Sequence, residues 1–269
     1  MKATYIDHMG TDLSVVNAAR VSFGKASEWE WVEAGVKAFG EESHQALSKR
    51  DAGLIAFLAR GCTSGDWDNI IEDVLSTSMC DLVDPDLDPR DEILPLLKHI
   101  RKMPDHWTPF GHTAITLHMK APIFVARQLG KHQVGMVWNE VSRRYISDDP
   151  EFHFPSEWRG AADNVKQGSS DGPCAQDEWA QSKYLELIEE AEATYKGMIA
   201  AGVCAEQARM VLPQAMETEW YWTGNLYSFA NVFVQRSDSH AQREVQEIAR
   251  QISDIIQPLY PVSWDALTK

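Results

Sequence analysis

The apolar positions of the chain fall into two periods. Tyr184, Ile188, Ala191, Tyr195 and Met198 recur at steps of three and four, which predicts one apolar stripe along a helix. Ala241, Val245, Ile248, Ile252, Ile255 and Leu259 follow the same rhythm and stop before Pro261; Ser239, with Gln242 three positions on, gives that helix a capping-box start. Leu54–Leu58 and Ile93–Ile100 predict shorter helices. One stretch changes period. Ile115, Leu117 and Met119 alternate with Thr116, His118 and Lys120, the pattern of a half-buried strand. Pro122 then suits the first turn of a helix running through Phe124 and Arg127. These elements predict an α+β fold, helices packed on a modest and mainly antiparallel sheet, in a single domain over 1–269.

Two polar breaks interrupt the pattern. Gly160 to Gln176 reads as an exposed loop, and Asp84-Pro85-Asp86-Leu87-Asp88-Pro89 as an acidic turn. No stretch approaches the roughly 18 apolar residues that a membrane helix needs, and the N-terminus lacks the apolar run of a signal peptide. A soluble, cytoplasmic protein is expected. Forty acidic against 25 basic residues give a net charge of -15, which argues against a general grip on nucleic-acid backbone. An anionic ligand can bind such a protein only where arginines converge against the overall field. Cys62, Cys80, Cys174 and Cys204 lie far apart, without CxxC spacing, and read as reduced thiols.

Local cation density occurs in one segment. Arg127, Gln128, Lys131, His132, Gln133, Asn139, Glu140, Ser142, Arg143, Arg144 and Tyr145 fall within nineteen positions. Guanidinium forks bind phosphate bidentately, Ser and Gln fix orientation with neutral hydrogen bonds, and Glu140 among cations is stabilised as an anion. A solvated, charged helix end is the competing reading. Gln235-Arg236-Ser237-Asp238-Ser239-His240-Ala241-Gln242 places an arginine beside a helix start, where amide donors favour anions, or else forms an ordinary capping turn. His112 and His118, six apart in extended chain, share a face, but no third ligand is placed by the pattern, so no metal site is predicted. Among ten tryptophans, Trp179, Trp220 and Trp222 lie in helical or aromatic runs and are expected in the core.

Taken together, these blocks resemble one family, the flavin-dependent thymidylate synthases, ThyX. Its hallmark is Arg-His-Arg, seven residues, then Ser, within a segment ending Asn-Glu-x-Ser-x-Arg-Tyr. Here the matching stretch is Ala121 to Gln128, Lys131-His132-Gln133 and Asn139-Glu140-Val141-Ser142-Arg143-Arg144-Tyr145. Val16 to Ser22, His106 to His112, Lys166-Gln167-Gly168-Ser169, Ala208 to Pro213 and Arg236 to Gln242 match further blocks in family order. The resemblance implies FAD as bound cofactor, NADPH as reductant and methylenetetrahydrofolate as one-carbon donor to dUMP, in a homotetramer with active sites between subunits. It places Gln128, Glu140, Ser142, Arg143, Arg144, Arg209 and Arg236 on the nucleotide. It places Thr108, Lys131, His132, Gln133, Asn225, Asn231 and His240 on the flavin. Arg236, Ser142 and His106 are its catalytic candidates. Reduced flavin then supplies hydride, cysteine addition to the base is unnecessary, and an arginine at the ring stabilises the charge as carbon 5 becomes nucleophilic.

The chain departs from the family at several points. Lys131-His132-Gln133 replaces Arg-His-Arg, removing one charge and both guanidinium forks, and eight residues separate Gln133 from Ser142. The family often has Glu, Gly and Arg where Gly111, Arg143 and Tyr227 stand. Three readings stay open, the first two being a divergent thymidylate synthase and a relative with altered one-carbon chemistry that leaves hydroxymethyl on the pyrimidine. A catalytically silent nucleotide-binding relative is the third.

Overall fold

The alternation at Ala114–Pro122 is realised as a strand, in a computed structural model that describes residues 1–32, 44–60, 106–162 and 169–269. In chain order the elements are β1 (Lys2–Met9), α1 (Asp12–Arg20), β2 (Glu30–Val32), β3 (His44–Ala46), α2 (Lys49–Arg60) and β4 (Ala114–Pro122). There follow α3 (Ile123–Leu129), β5 (Met136–Glu140), β6 (Arg159–Ala161), β7 (Ser169–Pro173) and α4 (Asp177–Ala200). The chain closes with α5 (Ala205–Ala208), β8 (Glu217–Gly224), α6 (Leu226–Arg236), α7 (Arg243–Ile256) and α8 (Pro261–Thr268). The contacts of the chain gather in two units, Met1–His8 with Ala114–Ile256, and Met9–Thr113 with Gln257–Lys269.

The first unit is built on a four-stranded sheet in the order β1-β4-β8-β5. β4 and β8 run antiparallel from Ile115↔Gly224 to Pro122↔Glu217, and β5 pairs antiparallel with the other edge of β8, from Met136↔Gly224 to Glu140↔Trp220. Ile115, Leu117 and Met119 are fully buried, as their period demands. Each contributes about 1.5–3 kcal/mol by leaving water. Thr218, Trp220 and Trp222 alternate inward in the same way along β8. Helix α7 packs against both α3 and α6, and α3 also packs against β4 and β8. The α+β class expected from the sequence is therefore the one observed.

Several local expectations are corrected. The last long helix starts at Arg243 rather than at Ser239. Ala241 N donates to Asp238 O at 2.9 Å and closes a turn, so the first helical carbonyl is that of Gln242, which accepts from Val245 N and Gln246 N. Its buried stripe is Val245, Ile248, Ala249, Ile252 and Ile256, whereas Ala241, Ile255 and Leu259 are only part-buried. Pro122 is the N-cap of α3 and the last residue of β4, not the first residue of the helix turn. Residues 160–176 are not all loop: β6 and β7 pair antiparallel there, and the stretch Lys166-Gln167-Gly168 lies outside the described residues. The Asp84–Pro89 turn, the Ile93–Ile100 helix, Cys62 and Cys80 also fall outside them. Trp179 is 61% exposed, on the solvent side of α4, while Tyr195 and Ile188 cover its inner face.

In the second unit, α1, α2 and α8 pack together, with the 3-10 turn Thr108–His112 against α1. The buried Asp12 carboxylate accepts from Val262 N and Ser263 N, both at 2.9 Å, and so satisfies the first free amides of α8. Arg20 pairs with Asp51, which also accepts from Ser27 and Ser48. The Leu54–Leu58 segment lies in α2 as expected, with Ile55 and Leu58 buried. His112 stands in the 3-10 turn and not in extended chain, so the spacing argument that placed it on one face with His118 does not hold.

Candidate active site

The antiparallel pairing of β5 with β8 carries the polar segment after α3 back across the sheet and opens a cleft of about 1170 Å³. Its floor is aromatic. Trp138 of β5 stacks on Trp220 at 4.3 Å between ring centroids and meets Trp222 edge-on at 5.6 Å; Trp222 in turn meets Phe229 of α6. The rim is formed by Gln128 at the end of α3, Lys131, His132 and Gln133 in the following turn, Glu140 at the end of β5 and Arg236 at the end of α6. Six of the residues singled out from the sequence thus meet here, from segments more than a hundred positions apart.

Contacts fix several of these groups. Arg236 donates through Nε to His132 Nε2 at 2.9 Å and through Nη2 to the carbonyl of Gln128 at 3.1 Å. An arginine cannot accept, so His132 accepts and carries its proton on Nδ1. Burial, and then the Arg236 cation, hold the His132 pKa below the usual histidine value. Glu140 accepts from the Thr218 hydroxyl at 2.6 Å and from the Trp138 indole at 3.1 Å. Both of its oxygens are oriented by residues of the sheet. Lys131 and Gln133 are exposed on the rim.

Other candidates lie elsewhere. Ser142 caps its own turn, its hydroxyl facing Arg144 N at 3.4 Å and its carbonyl accepting from Tyr145 N. Arg143 donates to the carbonyls of Asp148 and Asp149, so its guanidinium braces a loop instead of facing the cleft. Arg144 lies 4.9 Å over the Tyr145 ring, and Arg209, in a 3-10 turn after α5, is exposed. Asn225 is the N-cap of α6: its Oδ1 accepts from Ser228 N at 2.9 Å. Asn231 lies on the exposed face of the same helix. His240 bonds to Asp238 within the turn before α7. His106 and Thr108 belong to the second unit, where they line a separate cleft of about 600 Å³ with Arg20, Ser22, Lys25 and Arg50. There His106 stacks on Phe57 at 5.3 Å.

His240 and Gln242, with Gln128 and Arg236 shared from the cleft, line a neighbouring cavity of about 900 Å³ whose Arg159, Arg243 and Arg250 the sequence reading missed. A signal was present: Arg243, Gln246 and Arg250 follow the i, i+3, i+7 spacing of one helix face, opposite the apolar stripe. It also missed Trp138 and Trp222 as cleft residues, because the alternation in Glu217–Gly224 is carried by Trp and Thr within a run of aromatics. Chemically, a flat aromatic floor with neutral amides, a neutral imidazole, a carboxylate and cations at the rim suits a planar heterocycle with ring carbonyls and an anionic tail. This donor set fits both a pyrimidine nucleotide and the ring of a flavin.

Comparison with known proteins finds relatives over most of the chain. Residues 4–262 match the model of the Thy1 family, thymidylate synthase complementing protein. A flavin-dependent thymidylate synthase of Thermosipho africanus is 32% identical over 268 residues, covering 98% of this chain and 89% of that protein. One from Thermus thermophilus is 30% identical over 261 residues, covering 97% and 73%. Among solved structures, the UMP/dUMP methylase PolB from Streptomyces cacaoi, bound with 5-Br dUMP, superimposes with a TM-score of 0.68 at 25% identity, over 99% of this chain and 94% of that one.

Proposed function

This chain belongs to the Thy1 family, the flavin-dependent thymidylate synthases, and on that premise we propose that it methylates dUMP reductively to dTMP. FAD would be the bound cofactor, methylenetetrahydrofolate the one-carbon donor and NADPH the reductant. The observation that carries the proposal is the convergence of Gln128, His132, Glu140 and Arg236 on one aromatic-floored cleft. In it Arg236, placed by two hydrogen bonds, would stabilise negative charge on the pyrimidine as carbon 5 becomes nucleophilic. Gln128 and Glu140 would orient the nucleotide, and the Trp138 and Trp222 walls would exclude water. Lys131, His132 and Gln133 at the rim, with Asn225, Asn231, His240, Thr108 and His106, would hold the flavin, whose chemistry when bound is hydride and one-carbon transfer.

Ser142, Arg144 and Arg209 do not line the cleft of this subunit. A homotetramer with active sites shared between subunits would bring Arg144, Arg209 and Ser142 of one subunit to the nucleotide phosphate beside the cleft of another. A single catalytic domain over 1–269 is part of the proposal. No helix among the described residues is long and apolar enough to cross a membrane, and a cytoplasmic location is part of the proposal.

Incubation with dUMP, methylenetetrahydrofolate and NADPH, followed by product mass, tests the reading; dTMP is the expected product. The altered hallmark Lys131-His132-Gln133 motivates the hydroxymethylase as the second reading, and its product is heavier by one oxygen. Purified protein that shows no flavin absorbance, even after soaking with FAD, would rule out both.

A further inference from the structure

Arg159, Arg243 and Arg250 line the 900 Å³ cavity beside the cleft, and no Asp or Glu among the described residues lines it with them. In a chain of 40 acidic and 25 basic residues, such a lining reverses the overall field locally. Each guanidinium is anchored at one terminal nitrogen. Arg159, only 16% exposed, meets the Glu244 carboxylate through Nη2 alone, at 2.9 and 3.0 Å. Arg243 meets Glu157 through Nη1 at 3.0 Å, and Arg250 meets the neutral Gln246 Oε1 through Nη2 at 2.8 Å. A guanidinium carries five N–H donors, so Nε and the other terminal nitrogen of each have no hydrogen-bond partner among the described residues. For the largely buried Arg159, idle donors cost free energy unless water or an anion takes them. Glu244 and Glu157 offset two of the three charges, while Arg250, like Arg236, has no carboxylate partner among the described residues.

We propose that this cavity is an anion subsite: it takes a flexible tail bearing two or more phosphate or carboxylate groups, carried by the reactant whose ring lies in the adjoining cleft. The inference rests on the reading of that cleft as the place of a reactant's ring. Gln128 and Arg236 line both spaces, so a ring on the aromatic floor would send its tail past these two residues into the cavity. The guanidinium fork matches the paired oxygens of phosphate and of carboxylate alike. One such group does not fill the space, whose volume is that of about thirty waters. Arg243 and Arg250 are two turns apart on α7, about 10 Å along its axis, and Arg159 reaches the same space from β6. Cations spread in this way suit a tail with several charges. Two reactants could carry one: a nucleotide with more than one phosphate, or a folate with more than one glutamate.

Calorimetric titration of the full chain tests this in the wild type, Arg243→Gln and Arg250→Gln, both exposed positions. Lys183→Gln, exposed on α4 and away from the cavity, is the charge-matched control. The probes are dUMP and dUTP and, with dUMP saturating, the monoglutamate and triglutamate of tetrahydrofolate. In at least one pair the longer member is expected to bind the wild type about tenfold or more tighter, the effect of one charge-assisted hydrogen bond. A gain with dUTP assigns the tail to the nucleotide, and a gain with the triglutamate assigns it to the folate. Arg243→Gln and Arg250→Gln should each remove most of the gain and leave the shorter member's affinity unchanged, while Lys183→Gln keeps it. A wild type that binds dUMP but shows no gain in either pair overturns the inference and leaves the proposed function standing. So does a gain that survives both arginine replacements, or that falls equally in Lys183→Gln. A wild type that binds no dUMP overturns the proposed function and the inference with it.

Discussion

Arg236 donates to Nε2 of His132 at 2.9 Å, across 104 positions of sequence. The bond exists only while His132 is neutral, since a protonated imidazole has no lone pair to offer. Burial and the nearby cation both depress its pKa. The unfolded histidine titrates near about 6.5 and so takes up its proton first as pH falls. Stability from this pair is therefore full above about 6.5 and is lost as pH falls through the depressed folded value. In a histidine NMR titration, the resonance missing from His132→Gln should have a midpoint below about 6.5 and move upward in Arg236→Met. An unmoved midpoint would show that the cation contributes nothing.

Arg236→Ala should lower turnover of dUMP by about 10²–10³-fold, the usual effect of removing one preorganised donor from a developing anion. The fold should persist, because Arg236 is the last residue of α6 and lies outside the apolar core. Single-turnover flavin oxidation, alongside a circular dichroism spectrum, would check both halves. Wild-type turnover would remove Arg236 from the chemistry.

Thr218 is buried and its hydroxyl holds Glu140 at 2.6 Å. Thr218→Val keeps the shape and removes a donor to a carboxylate, an interaction of about 1.5–3 kcal/mol. Affinity for dUMP should fall by about tenfold or more, with the sheet intact. Unaltered dUMP binding would mean that Glu140 does not contact the nucleotide.

Gly135 has φ +71°, and a Cβ there would lie 2.3 Å from Ser228 Oγ and 2.8 Å from Asn225 Nδ2. Asn225 caps α6, and the Ser228 hydroxyl donates to its Oδ1. Gly135→Ala combines a left-handed backbone with a displaced cap and should destabilise by about 2 kcal/mol or more in denaturant melts. A smaller loss would show that the cap relocates.

Replacing Cys62, Cys80, Cys174 and Cys204 by Ser should leave product formation intact. Cys174 and Cys204 are free thiols, and neither lines the cleft. Loss of activity from one replacement, in protein that still folds, would restore a thiolate route.

The sequence alone determined the elements whose signal is local. The alternation of Ile115, Leu117 and Met119 specified β4, the Ile188 and Tyr195 spacing specified α4, and the ordered blocks from Val16 to Gln242 specified the family. It also named Gln128, His132, Glu140 and Arg236, each within such a block. Local pattern misplaced the start of α7, because Ser239 has the chemistry of a cap and only the Asp238 turn shows that another residue takes that place. Tertiary structure alone decided what each polar group faces. Arg143 and Arg144 are neighbours of the same chemistry, yet one braces a loop and the other lies over a tyrosine ring. The Gln128 amide donates to Gln242, more than a hundred positions away, at 2.7 Å, a contact that no spacing encodes. Periodicity is a property of the backbone helix or strand and is written in neighbouring residues. The direction of a hydrogen bond depends on which partners the folded chain brings within about 3 Å.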